Sequence, residues 1–296
     1  MPTTSIARPP SGTAGSVRAK FRRTTPSRAL ATVLTYLMLA GGALISLGPL
    51  VFSIMTSLKT EKQFIADGPL AVPGPVTVEN YVSLFRDHDF IVPIVVTIQV
   101  VLVMVVGQFV SSILAAYAFA RLRFPGRETL FWVYLSTLMI PAIVTMIPLF
   151  SALSPLRNSF AGLVVPFMLG SPYAIFLLRE NFRAVPQEVL DAATLDGAGF
   201  FRQLRSIVLP MNKPILATLL LITVVSQWNN FMWPKIIAPA PEWNVITVAT
   251  SALQTQYANN WTLVMAATTV AIAPLVILFI VFHKQIVRSI GVTGVR

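Results

Sequence analysis

The chain has 296 residues, of which 55% are hydrophobic and only 11% are charged. A typical soluble domain carries about 25% charged residues, so the composition argues against an ordinary soluble protein and predicts several membrane spans. The sequence holds no cysteine, and we therefore expect no lipoprotein anchor, disulfide framework or thiolate metal site. Its formal net charge of +11 fits either nucleic-acid binding or an uneven distribution of Lys and Arg across a membrane.

The N-terminal region has two parts. Residues 1–28 are rich in Ser, Thr, Pro and Arg without an apolar period, which predicts a disordered, basic cytoplasmic tail. The run from Ala29 to Leu58 then contains 30 residues without a charge. A signal peptide has an apolar core of about 7–15 residues, and a bilayer needs roughly 20 helical residues, so we predict a retained spanning helix here.

Five more uncharged stretches follow the first. The third and fourth are separated by a very short turn near Arg157, and the amides between positions 254 and 260 predict that the last helix begins near Trp261. The sequence thus predicts an all-α integral membrane protein with six transmembrane helices over residues 29–285 and a cytoplasmic tail over 286–296. The five stretches are Phe90–Ala120, Thr129–Leu156, Asn158–Leu178, Pro214–Pro234 and Trp243–His283.

The distribution of Lys and Arg predicts the orientation of these spans. If the N-terminus is cytoplasmic, the inside segments hold 17 of the 22 basic residues and the outside segments hold 5. Cytoplasmic loops carry an excess of Lys and Arg, so we expect both termini and residues 179–213 on the inside. This topology explains the basic composition without nucleic acid, and no basic run with interleaved aromatics favours nucleic-acid binding.

Residues 185–210 predict a cytoplasmic helix–turn–helix between the fourth and fifth spans. The tetrapeptide VPQE at 185–188 is typical of a helix start, with proline at the first helical position and an acid in the first turn. The helix is predicted to run to Asp196 and stop at Gly197, since glycine commonly follows a helix end. A second, amphipathic arm follows, and Leu209-Pro210 is expected to end it.

The first arm has the composition of a docking element. Ala192 and Ala193 leave one side open to close approach by another backbone, and Asp191 and Asp196 are available to pair with basic groups of a partner. The alternative is an ordinary interfacial helix resting on lipid headgroups, which would carry a lysine-rich polar face. The acidic first arm favours docking.

This segment resembles a cytoplasmic loop of the permease subunits of ATP-binding-cassette importers. That loop reads Glu-Ala-Ala, three residues, Gly, nine residues, Ile, one residue, Leu-Pro, and this chain matches every spacing with Asp in place of the initial Glu. The resemblance implies that the loop couples the permease to an ATPase. The motif positions to which it assigns that coupling are Asp191, Ala192, Ala193, Gly197, Ile207, Leu209 and Pro210, and to these we add the acidic residues Glu188 and Asp196 of the first arm.

The chain beyond its tail is similar to maltose-type sugar permeases, notably in the segment WNNFMWP at 228–234 and the C-terminal GVTGVR. The resemblance implies import of a carbohydrate across a bacterial cytoplasmic membrane. It implies as partners a second homologous six-span permease, two ATPase subunits and an extracytoplasmic solute-binding protein. It also implies that ATP and magnesium bind the ATPase subunits. This chain has no G-x-x-x-x-G-K-[ST] phosphate loop, so we expect it to bind no cofactor and to be no enzyme.

Polar residues within the spans are candidates for the substrate pathway. Neutral amides beside a tryptophan suit an uncharged, hydroxyl-rich ligand, although polar residues in spans often only bond neighbouring helices. Two outside segments, 59–89 and 235–260, are expected to contact the binding protein, or else simply to connect spans. The pathway candidates are Gln99, Gln108, Thr145, Gln227, Trp228, Asn229 and Asn230.

Three alternatives remain open. A secondary transporter usually needs ionisable groups or broken helices at mid-membrane, and the predicted spans have no charged residue at their centres. A membrane enzyme would need a catalytic cluster, and the sequence shows neither a catalytic nor a metal site; His88, between Asp87 and Asp89, is expected to lie at an exposed loop edge. An importer of another solute, such as a glycerol-phosphate ester, fits the loop equally well.

Overall fold

The computed structural model describes residues 26–257 and 260–292, with side chains described over 30–257 and 260–283. Most of the predicted N-terminal tail and the last four residues of the predicted C-terminal tail therefore lie outside the described residues. The chain divides into two units, Met1–Pro49 and Leu50–Arg296, which are described separately. In the first unit the described residues belong to a helix in which the Thr35 hydroxyl donates to the carbonyl oxygen of Ala31 at 2.8 Å.

Within the described residues the secondary structure is entirely helical. Short 3₁₀ turns lie at several helix ends, and one π-helical segment covers Leu204–Val208. The α-helices are α1 (Pro26–Ser57), α2 (Glu61–Asp67), α3 (Glu79–Arg86), α4 (Ile91–Arg121), α5 (Arg127–Ser136), α6 (Ala142–Ala152), α7 (Phe160–Val164), α8 (Pro172–Arg183), α9 (Gln187–Leu195), α10 (Phe200–Gln203), α11 (Leu209–Met211), α12 (Lys213–Trp228), α13 (Met232–Ile237), α14 (Ile246–Gln256) and α15 (Trp261–Val292).

Four segments of the described chain are long and apolar enough to cross a bilayer: Leu30–Ser57, Ile91–Arg121, Lys213–Ile237 and Trp261–His283. Two bent pairs of helices reach the necessary length only when each pair is taken together. The described residues thus hold four candidate spans, or six if each bent pair is one span. The last helix begins at Trp261, where the sequence predicted it.

The predicted third span, Thr129–Leu156, is not one continuous helix. It breaks between Met139 and Ala142, and the helices on either side are bent by 100°. Proline explains the break, because the residue before a proline is disfavoured in the α conformation. Ile140 and Pro141 both have extended backbone, with ψ of 116° and 131°.

The predicted fourth and fifth spans are also interrupted. The fourth bends by 42° between Phe167 and Pro172 and then continues to Arg183, five residues beyond its predicted end. The fifth breaks after Trp228 and resumes at Met232. Pro234 has no amide hydrogen for the carbonyl of Asn230, and the Thr247 hydroxyl donates to that carbonyl instead, at 2.7 Å.

Helix α4 lies at the centre of the second unit and contributes to all three of its hydrophobic clusters. It packs against α8, α12 and α14. Gly107 marks a close approach, since a Cβ atom there would lie 2.3 Å from the carbonyl oxygen of Met168 at the bend of the fourth span. The same bend accepts a hydrogen bond from Gln108, whose Nε2 lies 2.5 Å from the carbonyl oxygen of Phe167.

The two predicted outside segments contain short helices and buried residues. Residues 59–89 include α2 and α3, and the fully buried Lys59 donates from Nζ to the carbonyl oxygens of Gly68 and Pro69 at 3.1 and 3.0 Å. Residues 235–260 include α14, whose Ile246 and Leu253 are buried. His88 of the first segment and Tyr257 of the second stack edge to face with ring centroids 4.9 Å apart.

Candidate functional site

Helix α9 provides the first arm of the predicted helix–turn–helix. It covers Gln187–Leu195, so Pro186 precedes the helix instead of occupying its first position. Pro186 has extended backbone (φ −56°, ψ 135°), which is the conformation of a residue that leads into a helix. Glu188 lies in the first turn, where its negative charge complements the helix dipole as predicted.

Gly197 ends the first arm in a Schellman motif. The amide of Gly197 donates to the carbonyl of Thr194 at 3.0 Å, and the amide of Ala198 donates to the carbonyl of Ala193 at 2.8 Å. Gly197 has φ of +75°, a left-handed conformation that costs little only for glycine. Asp196 is the C-cap residue and is exposed. The predicted stop signal therefore acts at this position.

The two faces of α9 differ sharply. Leu190 is buried, at 3% exposure, in a hydrophobic cluster with Phe182, Leu204 and Val208. The opposite face follows the 3.6-residue period of a helix and is exposed over its whole length. Leu195 is 90% exposed, so this face presents an apolar side chain among acidic ones. The residues of this outer stripe are Glu188, Asp191, Ala192 and Leu195.

The second arm ends one residue beyond the predicted Leu209-Pro210. It runs from Phe200 through a π-helical turn to Met211, and the helical path is broken only at Asn212. The ring of Pro210 conflicts with the carbonyl four residues earlier, at Ser206, and the wider π turn lies at this point of the chain. Ile207 and Leu209 are half-buried, whereas Pro210 is exposed.

Gln203 joins the two arms. Its Nε2 donates to the Thr194 hydroxyl at 2.9 Å and to the carbonyl of Ala198 at 3.0 Å. Tyr117 of α4 contacts the second arm, with its ring packed edge to face against Phe200 at a centroid distance of 4.7 Å. The loop is thus a pre-formed unit packed on α4 and α8. Neither Gln203 nor Tyr117 was predicted from the sequence to take part in it.

Arg121, the last residue of α4, fixes the connection between α8 and α9. Its guanidinium donates to the carbonyl of Phe182 from Nε at 3.1 Å and from Nη2 at 2.5 Å, and Nη2 also donates to the carbonyl of Val185. Nη1 donates to Gln187 Oε1 at 2.9 Å. In the sequence, Arg121 is one of the basic residues that predict the orientation of the spans, and no motif marks it. Its position in the last turn of a long helix, just before the Leu122–Gly126 loop, was the available signal.

A family model described as the inner membrane component of binding-protein-dependent transport systems matches residues 107–292. This match covers more than half of the chain, including the bent fourth span, the loop and the last helix. The chain belongs to this family. The resemblance to importer permeases that the loop motif indicated is thereby confirmed, and the protein is a multi-pass membrane component of a transport system.

Curated permeases match the chain over nearly its full length. An arabinooligosaccharide transport permease of Halalkalibacterium halodurans is 28% identical over 283 residues, which cover 93% of this chain and 99% of that protein. A glycerol-3-phosphate transport permease of Brucella suis is 28% identical and covers 89% and 97%. The corresponding Yersinia pestis permease is 31% identical over 268 residues, or 87% and 95% of the two chains.

Solved structures share the fold. A chain of a bacterial importer of the acidic polysaccharide alginate superposes with a TM-score of 0.78, at 22% identity, over 88% of this chain and 98% of that one. A chain of an alginate transporter in complex with its alginate-pentasaccharide-bound periplasmic protein gives a TM-score of 0.64, at 17% identity. At these identities the likeness shows that this permease has the helical fold of those transporters.

The predicted pathway residues of the permease occupy different environments. Gln227 and Asn230 are half-buried and Asn229 is exposed at the break between α12 and α13, where Asn229 Nδ2 donates back to the carbonyl of Val225 at 2.8 Å. Trp228 is 6% exposed and its Nε1 donates to the carbonyl of Ala271 at 3.0 Å, so its ring packs between helices. Gln99 and Thr145 are exposed on α4 and α6.

The structure groups four of the seven pathway candidates and leaves three apart. Gln227, Trp228, Asn229 and Asn230 share the break in the fifth span, while Gln99, Gln108 and Thr145 lie on other helices. Among the described residues no group of three or more His, Cys, Asp or Glu has the arrangement of a metal site. Asp87, beside His88, accepts hydrogen bonds from Arg86 at 3.0 and 3.3 Å, and this pairing holds the pKa of its carboxyl below its usual range.

Proposed function

We propose that this permease is one of two homologous six-span subunits of an ATP-driven importer that moves a carbohydrate across the bacterial cytoplasmic membrane. Each bent helix pair then counts as one span, both termini lie in the cytoplasm, and residues 29–285 form the permease domain between tails 1–28 and 286–296. ATP and magnesium are bound by separate ATPase subunits. The family membership and the oligosaccharide-transporting relative at 93% coverage support the proposal.

The observation that carries the proposal is the exposed outer stripe of α9. The stripe presents Leu195, at 90% exposure, on the same helix face as two acidic residues, Glu188 and Asp191. Phe201, at 73% exposure on the second arm, adds a second apolar anchor. Large apolar side chains rimmed by charge are typical of a protein-binding surface. We infer that each ATPase subunit binds one such loop.

The mechanism follows from the way the loop is held. The ATPase groove holds the outer stripe, and closure of the ATPase dimer on ATP moves α9. Because Gln203 ties α9 to the second arm and the cluster around Leu190 ties it to α8, the loop moves as a rigid body. The displacement passes into the fourth and fifth spans, whose breaks at Phe167–Pro172 and Asn229–Phe231 are the points at which they can bend.

The outer surface is the proposed contact with the solute-binding protein. Segments 59–89 and 235–260 meet around a cavity of about 520 Å³, whose polar lining includes His88, Asp89, Glu242, Asn244 and Gln256. A deletion of residues 240–246 would remove the buried Val245 and Ile246 as well, and so would test folding rather than docking. Substitution of the exposed Glu242 by alanine is the sharper test of this contact.

A glycerol-phosphate ester is the second candidate solute, since permeases named for glycerol-3-phosphate are up to 31% identical to this chain in the matches above. A phosphate dianion would need cationic partners along its route. The pathway candidates are all neutral side chains, which favours an uncharged sugar.

Affinity purification of the tagged permease from native membranes in mild detergent, with mass spectrometry, tests this function. Recovery of an ATPase, a second permease and a binding protein is expected, and the purified binding protein is then screened against sugars and glycerol phosphates. Recovery of the chain alone, with uptake that survives ATP depletion while the ion gradient is held, would indicate a secondary transporter instead.

A further inference from the structure

We propose that Arg121 is a positioning residue that carries movement of the docking helix α9 directly into α4, the second span. This inference rests on the proposed coupling function of the loop. Arg121 lies about 60 residues before the loop in sequence, yet its guanidinium contacts three successive parts of the α8–α9 connection: Phe182, Val185 and Gln187. The α8–α9 connection is therefore bound to the end of α4 at three points.

The hydrogen bonds between Arg121 and the α8–α9 connection are strong and have a fixed direction. The carbonyl of Phe182 lies in the last turn of α8, where helix carbonyls lack partners within the helix and attract positive charge. Arginine presents its N–H groups in a fixed planar fork, and Arg121 uses Nε, Nη1 and Nη2 together. Lysine, with a single nitrogen on a flexible chain, cannot reach the same set of acceptors at once.

The link continues from Arg121 to the motif itself. Gln187 accepts from Arg121 at its Oε1 and donates from its Nε2 to Asp191 Oδ1 at 2.9 Å. Asp191 is the first residue of the loop motif and lies in the outer stripe of α9. A displacement imposed at Asp191 is thus transmitted through two side-chain contacts to the end of α4.

Near its middle, α4 contacts the bend of the fourth span. Gly107 and Gln108 contact the backbone at Met168 and Phe167, at the bend of the fourth span. Movement of α4 therefore reaches the bend without passing along α8. This route supplements the direct path through the two spans that flank the loop.

The test uses the complete transporter reconstituted in liposomes, with Arg121→Gln and Arg121→Lys compared with wild type. Arg123→Gln is the matched control. It removes the same positive charge only two positions from Arg121, and the Arg123 side chain is exposed. Solute uptake and ATP hydrolysis are measured together, and the readout is the uptake per ATP hydrolysed. Size-exclusion chromatography measures how much complex assembles.

The expected result is assembly and ATP hydrolysis close to wild type in both Arg121 variants, with uptake per ATP lowered about tenfold in Arg121→Gln, since several hydrogen bonds to a charge are lost. Arg121→Lys should lose less, and Arg123→Gln should lose none. Adding Gln187→Leu to Arg121→Gln should cause little further loss, because both changes interrupt the same link.

A purely structural role predicts a different result. Assembly, hydrolysis and uptake would then fall together and leave the uptake per ATP unchanged, and this outcome would overturn the inference even if wild type transports normally. If Arg121→Gln does not assemble, Arg121→Lys decides the question by the same ratio. Absence of ATP-driven uptake in wild type would instead refute the proposed function itself.

Discussion

Gln203 Nε2 lies 2.9 Å from the hydroxyl oxygen of Thr194, and this hydrogen bond closes the helix–turn–helix across nine residues. The same amide nitrogen reaches the carbonyl of Ala198, and Tyr117 lies 3.4 Å from Gln203 Oε1. The loop that we propose binds the ATPase is therefore held in shape by hydrogen bonds of Gln203 within the loop and to Tyr117 of α4. A coupling element needs this rigidity, because a flexible loop would absorb the displacement of the ATPase.

Gln203→Leu should loosen the two arms. Each lost hydrogen bond contributes about 1 kcal/mol, so the loop should open more often while the rest of the subunit stays folded. Hydrogen exchange of residues 187–205 in the purified complex measures this, with Arg202→Gln as a control at an exposed neighbour. Equal exchange rates in Gln203→Leu and wild type would show that the amide does not hold the arms together.

Gly197→Ala should destabilise the turn by roughly 1–2 kcal/mol, because an L-residue is strained at positive φ. No atom lies within 4 Å of the added Cβ, so the effect comes from backbone strain alone. Gly199→Ala is the matched control, since Gly199 has φ of −74° and equally open surroundings. Uptake per ATP should fall in the first variant only, and equal uptake in the two variants would contradict the role of this turn.

Asp191→Arg should weaken binding of the ATPase to the permease. The substitution places a positive charge on the outer stripe of α9, where we propose that basic groups of the ATPase bind. Copurification of the ATPase in high and low salt measures the effect, and Glu242→Arg makes the same charge reversal on the proposed outer surface. Unchanged copurification of the ATPase with Asp191→Arg would count against docking at this face.

Trp228→Phe and Asn229→Ala separate packing from solute contact in the fifth span. Trp228→Phe loses the bond to Ala271, which is worth about 0.6 to 2 kcal/mol in a membrane, and should lower thermal stability without changing the KM of uptake. Asn229→Ala should raise that KM several-fold, because Asn229 is exposed at the helix break. A raised KM in Trp228→Phe alone would reverse these two assignments.

The sequence predicted the positions of the spans better than their breaks and bends. Uncharged length predicted where apolar helices lie, and the positions of Trp261 and Gly197 gave correct ends because a helix start and a C-cap depend on local residues. Hydropathy predicted the third span as one stretch, because it does not distinguish a straight helix from a pair of helices bent by 100° at Pro141. Leu209-Pro210 was predicted as the end of the second arm, and the arm ends one residue later, at Met211, after a π turn that the sequence pattern did not indicate.

The motif residues of the candidate site were predicted, whereas the contacts that hold the loop on α4 were not. The motif spacing located Asp191, Ala192 and Gly197, which depend on local sequence. Arg121 and Tyr117 were missed because their contacts with the loop join residues more than 60 positions apart, and a single sequence does not show such contacts. The burial of Trp228 against Ala271 likewise depends on how α12 and α15 pack.

Cross-linking from the outer stripe tests the central claim most directly. The chain has no cysteine, so Leu195→Cys provides a single attachment point for a photoreactive maleimide in native membranes. Illumination should join the permease to an ATPase identified by mass spectrometry, while the same label at Glu242→Cys should not. Adducts only with lipid from position 195, in membranes where the ATPase is present, would show that α9 rests on the bilayer and would contradict the coupling function.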